Sequence, residues 1–192
     1  MSQDILSHFK SKLPTIEERL EAGKALRARF PRIKQGNYTT PGNRVDPVSI
    51  LEAQGKSRLP DLVPIRYARM LTSSFAFLRG AAAIMAADLA ANPKPTGLRV
   101  QACGDMHIAN FGVYASAERK LIFGINDFDE TLPGPWEWDL KLLVASIVVA
   151  TRFLGGSDAM CRDAVAAATQ SYRKFIRQYA FKGNLELWYT TN

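Results

Sequence analysis

The chain has 192 residues, 47% of them hydrophobic, which is enough to bury the core of one domain or one and a fraction and too much for a disordered chain. Lys and Arg number 25 against 18 Asp and Glu, and the net charge of +7 suits either a solvated basic surface or an anionic partner such as nucleotide phosphate. The scatter of the basic residues argues against nucleic acid, and Cys103 and Cys161, with no CxxC or Cys/His cluster, argue against structural zinc or a disulfide framework. The first residues carry no secretory signal, and no apolar run approaches the roughly 20 residues of a membrane span, so a cytoplasmic protein with no membrane partner is expected.

Thr15 to Phe30 reads as an amphipathic helix, opened by a capping box of Thr15 and Glu18 and stopped by Pro31. Pro31 to Pro64, rich in Pro, Gly, Asn and charge, reads as an irregular arm with a short helix near Val48 to Gln54. Ile65 to Leu71 is predicted helical, and Phe77 to Ala91 is predicted as one alanine-rich helix ended by Asn92 and Pro93. Leu98 to Cys103 and Lys120 to Asn126 read as two strands with a polar loop between them. Pro133, Gly134 and Pro135 are turn signals, after which Asp139 to Leu154 forms an apolar core helix closed by Gly155 and Gly156. Ser157 caps a last helix, Asp158 to about Ala180.

These elements predict an α/β, predominantly helical chain in which a short β-hairpin carries the acidic loop against the helices. Residues 1–64 are expected to form the N-terminal helix and basic arm, and residues 65–192 the catalytic part.

Chemistry concentrates between Cys103 and Asp139. Asp105 and Asn110 stand five residues apart in a loop that leaves a strand, and Asp127 follows 17 residues later at the end of the next strand. A carboxylate with an amide carbonyl suits Mg²⁺, which keeps much of its shell for water and phosphate. A carboxylate outside that shell, as Asp105 can be, is placed to take a proton from an attacking hydroxyl. The order Asp-x-x-x-x-Asn, then Asp-Phe, is the one phosphoryl transfer uses for its base, second metal ligand and principal metal ligand. Asp105 can instead be an ordinary cap. His107 can orient the loop or bind metal, and Asp129 and Glu130 can extend the metal edge or belong to a surface turn. Asp139 can cap its helix or anchor a neighbouring loop. Arg79, on an otherwise apolar helix, can pair with Asp88 or another carboxylate, or meet a phosphate.

The string CGDMHIANFG, followed by INDFDETLPGPWEWDLKLLVAS and preceded by FAFLRGAAAIMAADLA, resembles the bacterial family called domain of unknown function 2252, from about Arg66 to Arg152. More distantly it is similar to the aminoglycoside phosphotransferase and protein kinase-like superfamily. That resemblance implies the helical lobe of a kinase-like fold and a Mg²⁺-dependent phosphotransferase that uses ATP on an unknown phosphate acceptor. Asp105 matches the catalytic aspartate, Asn110 and Asp127 the metal ligands, His107 the second histidine of the loop, and Asp139 the aspartate of the following helix. Cys103 replaces the loop's first histidine. A Gly-rich phosphate cover and a nucleotide-holding lysine have no counterpart before Asp105. The resemblance therefore implies an N-terminal fragment, to be completed by a complementing C-terminal chain. The alternatives are a non-catalytic remnant or binding module, or a metal-dependent phosphoester hydrolase.

Overall fold

The computed structural model describes residues 14–91, 96–188 and 190. Helix α1 (Ile16–Arg29) opens with the expected capping box: Glu18 N–H donates to Thr15 Oγ1 at 3.2 Å and Thr15 N–H to Glu18 Oε2 at 2.7 Å. It buries no residue. The arm then forms a 3₁₀ turn (Arg32–Gly36) and α2 (Pro47–Gly55), where Asp46 accepts from Ser49 N–H. Helix α2 packs on α5 (Ala82–Ala91), and Arg44 grips Asp88 of α5 through two bonds of 2.7 Å.

Helix α3 (Val63–Met70) matches the expected helix, whereas the single helix expected over Phe77 to Ala91 is two: α4 (Ser74–Arg79) and α5. The break falls at Gly80 and Ala81. Gly80 caps α4, and its carbonyl accepts from Arg66 Nη2 at 2.7 Å. A Cβ on Gly80 would lie 2.6 Å from Met70 Sδ, so the missing side chain lets α3 and the α4 terminus close on each other. The stop expected at Asn92 and Pro93 lies outside the described residues.

Both expected strands form, but not as a pair. Strand β1 (Arg99–Ala102) is antiparallel to β4 (Leu132–Pro135), and β2 (Phe111–Ala115) to β3 (Leu121–Ile125). The β2–β3 hairpin is thus inserted between the two strands of the outer pair. The loop from β1 to β2 and the loop from β3 to β4 face one another where the two ladders meet. The expected turn at Pro133 to Pro135 is therefore a strand. Trp136 N–H reaches Leu98 O at 3.4 Å, so alternate residues of β4 turn N–H towards β1, and Pro133 and Pro135 fall at the positions that need no donor.

Helix α6 (Trp136–Phe153) starts at Trp136 rather than Asp139, with Pro135 at its cap position. It packs against α4, α5, β1, β4 and α7 (Asp158–Tyr179), which Ser157 caps through Met160 N–H. Leu142 and Ser146 of α6 and Cys161 of α7 are buried there, and Trp136 stacks on Tyr172 with ring centroids 6.1 Å apart. A short α8 (Asn184–Trp188) follows. Among the described residues, no helix is long and apolar enough to cross a membrane.

Overpacking at the α3–α4 contact predicts that Gly80→Ala destabilises the chain by about 1–3 kcal/mol. Denaturant midpoints measure this, and the cost should shrink in a Met70→Ala background, where the crowding atoms are gone. An unchanged midpoint for the single variant would contradict the close approach.

Candidate active site

The loop from β1 begins with Cys103 and Gly104, whose N–H groups donate to the two carboxylate oxygens of Asp139 at 2.8 and 3.1 Å. Asp139 is thus the loop anchor and not the helix cap. Gly104 has φ +85, and a Cβ there would sit 2.1 Å from the Glu130 carbonyl oxygen, so two independent constraints demand glycine. The close approach of Gly104 to Glu130 brings the two loops together.

The loop is held from beneath as well. Ser146, fully buried in α6, accepts from Ile108 N–H at 2.9 Å while its hydroxyl donates to Leu143 O. Asn110, 7% exposed, donates Nδ2–H to Asp105 O at 2.7 Å. That bond fixes the amide and leaves Oδ1 without a protein donor among the described residues. Asn126 N–H donates to Asn110 O at 3.0 Å, extending the β2–β3 ladder by one rung and setting Asp127 beside Asn110. Asp127 Oδ1 accepts from Asp129 N–H at 3.3 Å, and the carboxylate is otherwise exposed. Cys103 donates Sγ–H to Asp127 O at 3.3 Å, and burial raises its thiol pKa. It serves as a small buried strut.

Asp105, His107, Asn110, Asp127, Asp129 and Arg79 all line one cleft of about 920 Å³, and Glu130 joins them. Arg79 does not pair with Asp88, which is held by Arg44. The Asp105 side chain is 16% exposed, with Oδ1 buried and unpartnered and Oδ2 3.5 Å from His107 Nε2. Burial, reinforced by the charges of Glu130 and Asp127, raises its pKa from 3.8 to about 6, against the opposing pull of Arg66 and Arg79. His107 is 2% exposed and its Nδ1 is also unpartnered. Burial and the Arg79 charge lower its pKa, so it sits as neutral imidazole. Among the described residues, no group of three or more His, Cys, Asp and Glu is arranged to hold a metal. The expected ligand set, one amide and one carboxylate, is smaller than that.

Several contributors carried no sequence signal strong enough to single them out. Glu137, 4% exposed, accepts from Thr96 N–H at 2.7 Å, and Trp136 Nε1–H donates to Thr96 Oγ1 at 3.0 Å, pinning the approach to β1. Ser146 interrupts an apolar run and reads there as a tolerated polar residue. Its one clue is that interruption.

A sequence profile described as "Uncharacterized protein conserved in bacteria (DUF2252)" matches residues 58–192. The chain belongs to this family. The match begins at Arg58 and takes in the cleft from its arginine side to its acidic loops. No curated protein and no solved structure matches the chain.

A raised native pKa means that the folded state holds the Asp105 proton more tightly than the unfolded state. Its stabilising effect is complete below 3.8 and is lost as pH rises through about 6. Asp105→Asn, which mimics the protonated form, is therefore expected to stabilise the chain by about 1–2 kcal/mol above that window, with the gain gone below it. Urea midpoints on either side of the window read this directly. A variant less stable at neutral pH would show that ionised Asp105 is well compensated in the fold.

Proposed function

We propose that the cleft is the base and metal edge of a Mg²⁺-dependent, kinase-like phosphotransferase that draws on ATP. The observation that carries this reading is the state of Asp105: a largely buried carboxyl with an unpartnered oxygen, facing a cleft shared with Asn110 and Asp127. A base must titrate near working pH, and burial moves Asp105 towards it.

Each residue has a separate task. The Asp105 carboxylate accepts the proton of the acceptor hydroxyl as that oxygen attacks the γ-phosphorus of ATP, whose bond to the bridging oxygen breaks to release ADP. Asn110 would offer Oδ1 and Asp127 its exposed carboxylate to the metal, a donor set suited to Mg²⁺, which keeps water and phosphate oxygens in its remaining positions. When bound, the metal would supply neutralisation of the charge that develops on the phosphate oxygens. His107, neutral and buried, steadies the loop beside Asp105. This reading assigns cover and clamp for the nucleotide to a complementing chain.

One observation favours a second reading, a binding module. The β2–β3 hairpin turns Val113, Leu121 and Phe123 to one face, exposed by 66%, 79% and 69%. An apolar face of that kind suits contact with another chain. The two readings are compatible if the partner completes the site.

Mn²⁺ titration followed by electron paramagnetic resonance separates the roles. Wild type is expected to bind one Mn²⁺ saturably, Asp127→Ala to lose the site, Asn110→Ala to weaken it, and Asp105→Asn to keep it. Any ATP turnover should rise with pH through about 6 and vanish in Asp105→Asn. Mn²⁺ binding that ignores Asp127, or turnover that survives Asp105→Asn, would rule this assignment out. Hydrolysis of a chromogenic phosphoester without nucleotide would point to the hydrolase alternative instead.

A further inference from the structure

The cleft has a cationic wall that neither the base nor the metal edge uses. Arg58 precedes α3, Arg66 and Arg69 stand on α3, and Arg79 ends α4; all four line the cleft with Asp105. Among the described residues, no carboxylate lies within ion-pair distance of any of them. Two arginines elsewhere are paired, Arg44 with Asp88 at 2.7 Å and Arg152 with Asp158 at 3.0 Å; what distinguishes these four is that they stand unpaired on one cleft.

Arg66 is fixed in place by its 2.7 Å bond to Gly80 O, which leaves the rest of its guanidinium to the cleft. Its burial and the nearby Arg58 charge both lower its pKa, the mark of a cation in a costly position. The four guanidiniums on one wall repel one another, and the cleft's acids, although Glu130 and Asp105 pull on Arg66, form no ion pair with the wall, so an entering anion finds unpaired cationic groups there. Guanidinium groups match the oxygens of a phosphate through paired, charge-assisted hydrogen bonds. The same cleft holds buried His107 Nδ1 with no partner, a further polar atom that the fold alone does not satisfy.

We propose, resting on the reading of this cleft as a phosphoryl-transfer site, that the arginine wall is a subsite for a phosphate-class dianion held beside Asp105. The dianion belongs either to the acceptor, which would then be an anionic hydroxyl compound, or to the nucleotide. The chemistry of recognition is the same for both.

Calorimetric titration of the full, metal-free chain with inorganic phosphate at fixed ionic strength tests the subsite. One saturable site is expected, weakened about tenfold or more in Arg69→Ala/Arg79→Ala, which removes two exposed guanidiniums that make no bond within the fold. Arg66→Lys keeps the charge but loses the fork, and should weaken phosphate binding as well. Arg173→Ala, at an exposed residue of α7 outside the cleft, is the control for net charge and should leave binding unchanged. Absence of saturable binding, or equal weakening by Arg173→Ala and by the cleft variant, would overturn the subsite.

Repeating the titration with saturating Mg²⁺ and ATP identifies the source. Displacement of phosphate assigns the wall to the nucleotide, and simultaneous binding assigns it to the acceptor. Failure of the metal reading stays distinguishable: a chain that binds phosphate through Arg69 and Arg79 but shows no Asp127-dependent Mn²⁺ site keeps the subsite and loses the metal edge.

Discussion

Everything in the cleft hangs on the carboxylate of Asp139. Its two oxygens take the N–H groups of Cys103 and Gly104, the point where β1 ends and the loop begins. Charge-assisted bonds to backbone donors are among the stronger hydrogen bonds available. Here they join the loop to α6, the helix that packs against α4, α5, α7, β1 and β4. Glu137, two residues earlier, performs a similar service for the segment leading into β1 through Thr96. The acidic and aromatic residues that open α6 are thus a mooring for the strand and loop that carry Asp105. Ser146 adds a second mooring two turns along, at Ile108. Asp105 owes its position largely to Asp139 and Ser146, which lie outside the cleft.

The moorings explain how the loop tolerates an energetically poor carboxyl. Asp105 is largely desolvated, lacks a donor for Oδ1, and lies near two other acids. Left to itself, a short loop would swing such a group into water. A backbone bonded at Cys103, Gly104, Asp105 and Ile108 cannot do so without giving up several bonds at once. Strain of this kind at a cleft, offset by well-made bonds outside it, is the usual relation between stability and chemistry in a folded protein.

Much of the site was legible in the sequence and part of the fold was not. The grouping of Asp105, Asn110 and Asp127 was readable from residue type and spacing, and the structure does bring them to one cleft. Their route to that cleft was not readable. Strand β2 has the strand formers Phe111, Val113 and Tyr114 but follows the loop signals Gly104 and Asn110 and contains Gly112, so it reads as part of the loop, and β4 is half proline. Each forms because its partner ladder and the anchored loops hold it there, which is a tertiary effect. The nested pairing was therefore hidden, and the two visible strands seemed partners of one another. The break at Gly80 was hidden for a similar reason, since alanine-rich sequence on both sides favours helix and only the contact with Met70 shows why the chain must turn. The arginines were visible as scattered charge; their gathering needs α3 and α4 to be packed side by side.

The most direct test of this account is the ionisation of Asp105 itself. Carboxyl carbon shifts of the full chain, followed by NMR through a pH titration and assigned with Asp105→Asn, report that group alone. The account predicts a midpoint near 6, well above that of an ordinary aspartate. A midpoint at the ordinary value of about 3.8 would mean that the carboxyl is solvated or satisfied, and that the cleft lacks the poised base on which the proposed chemistry depends.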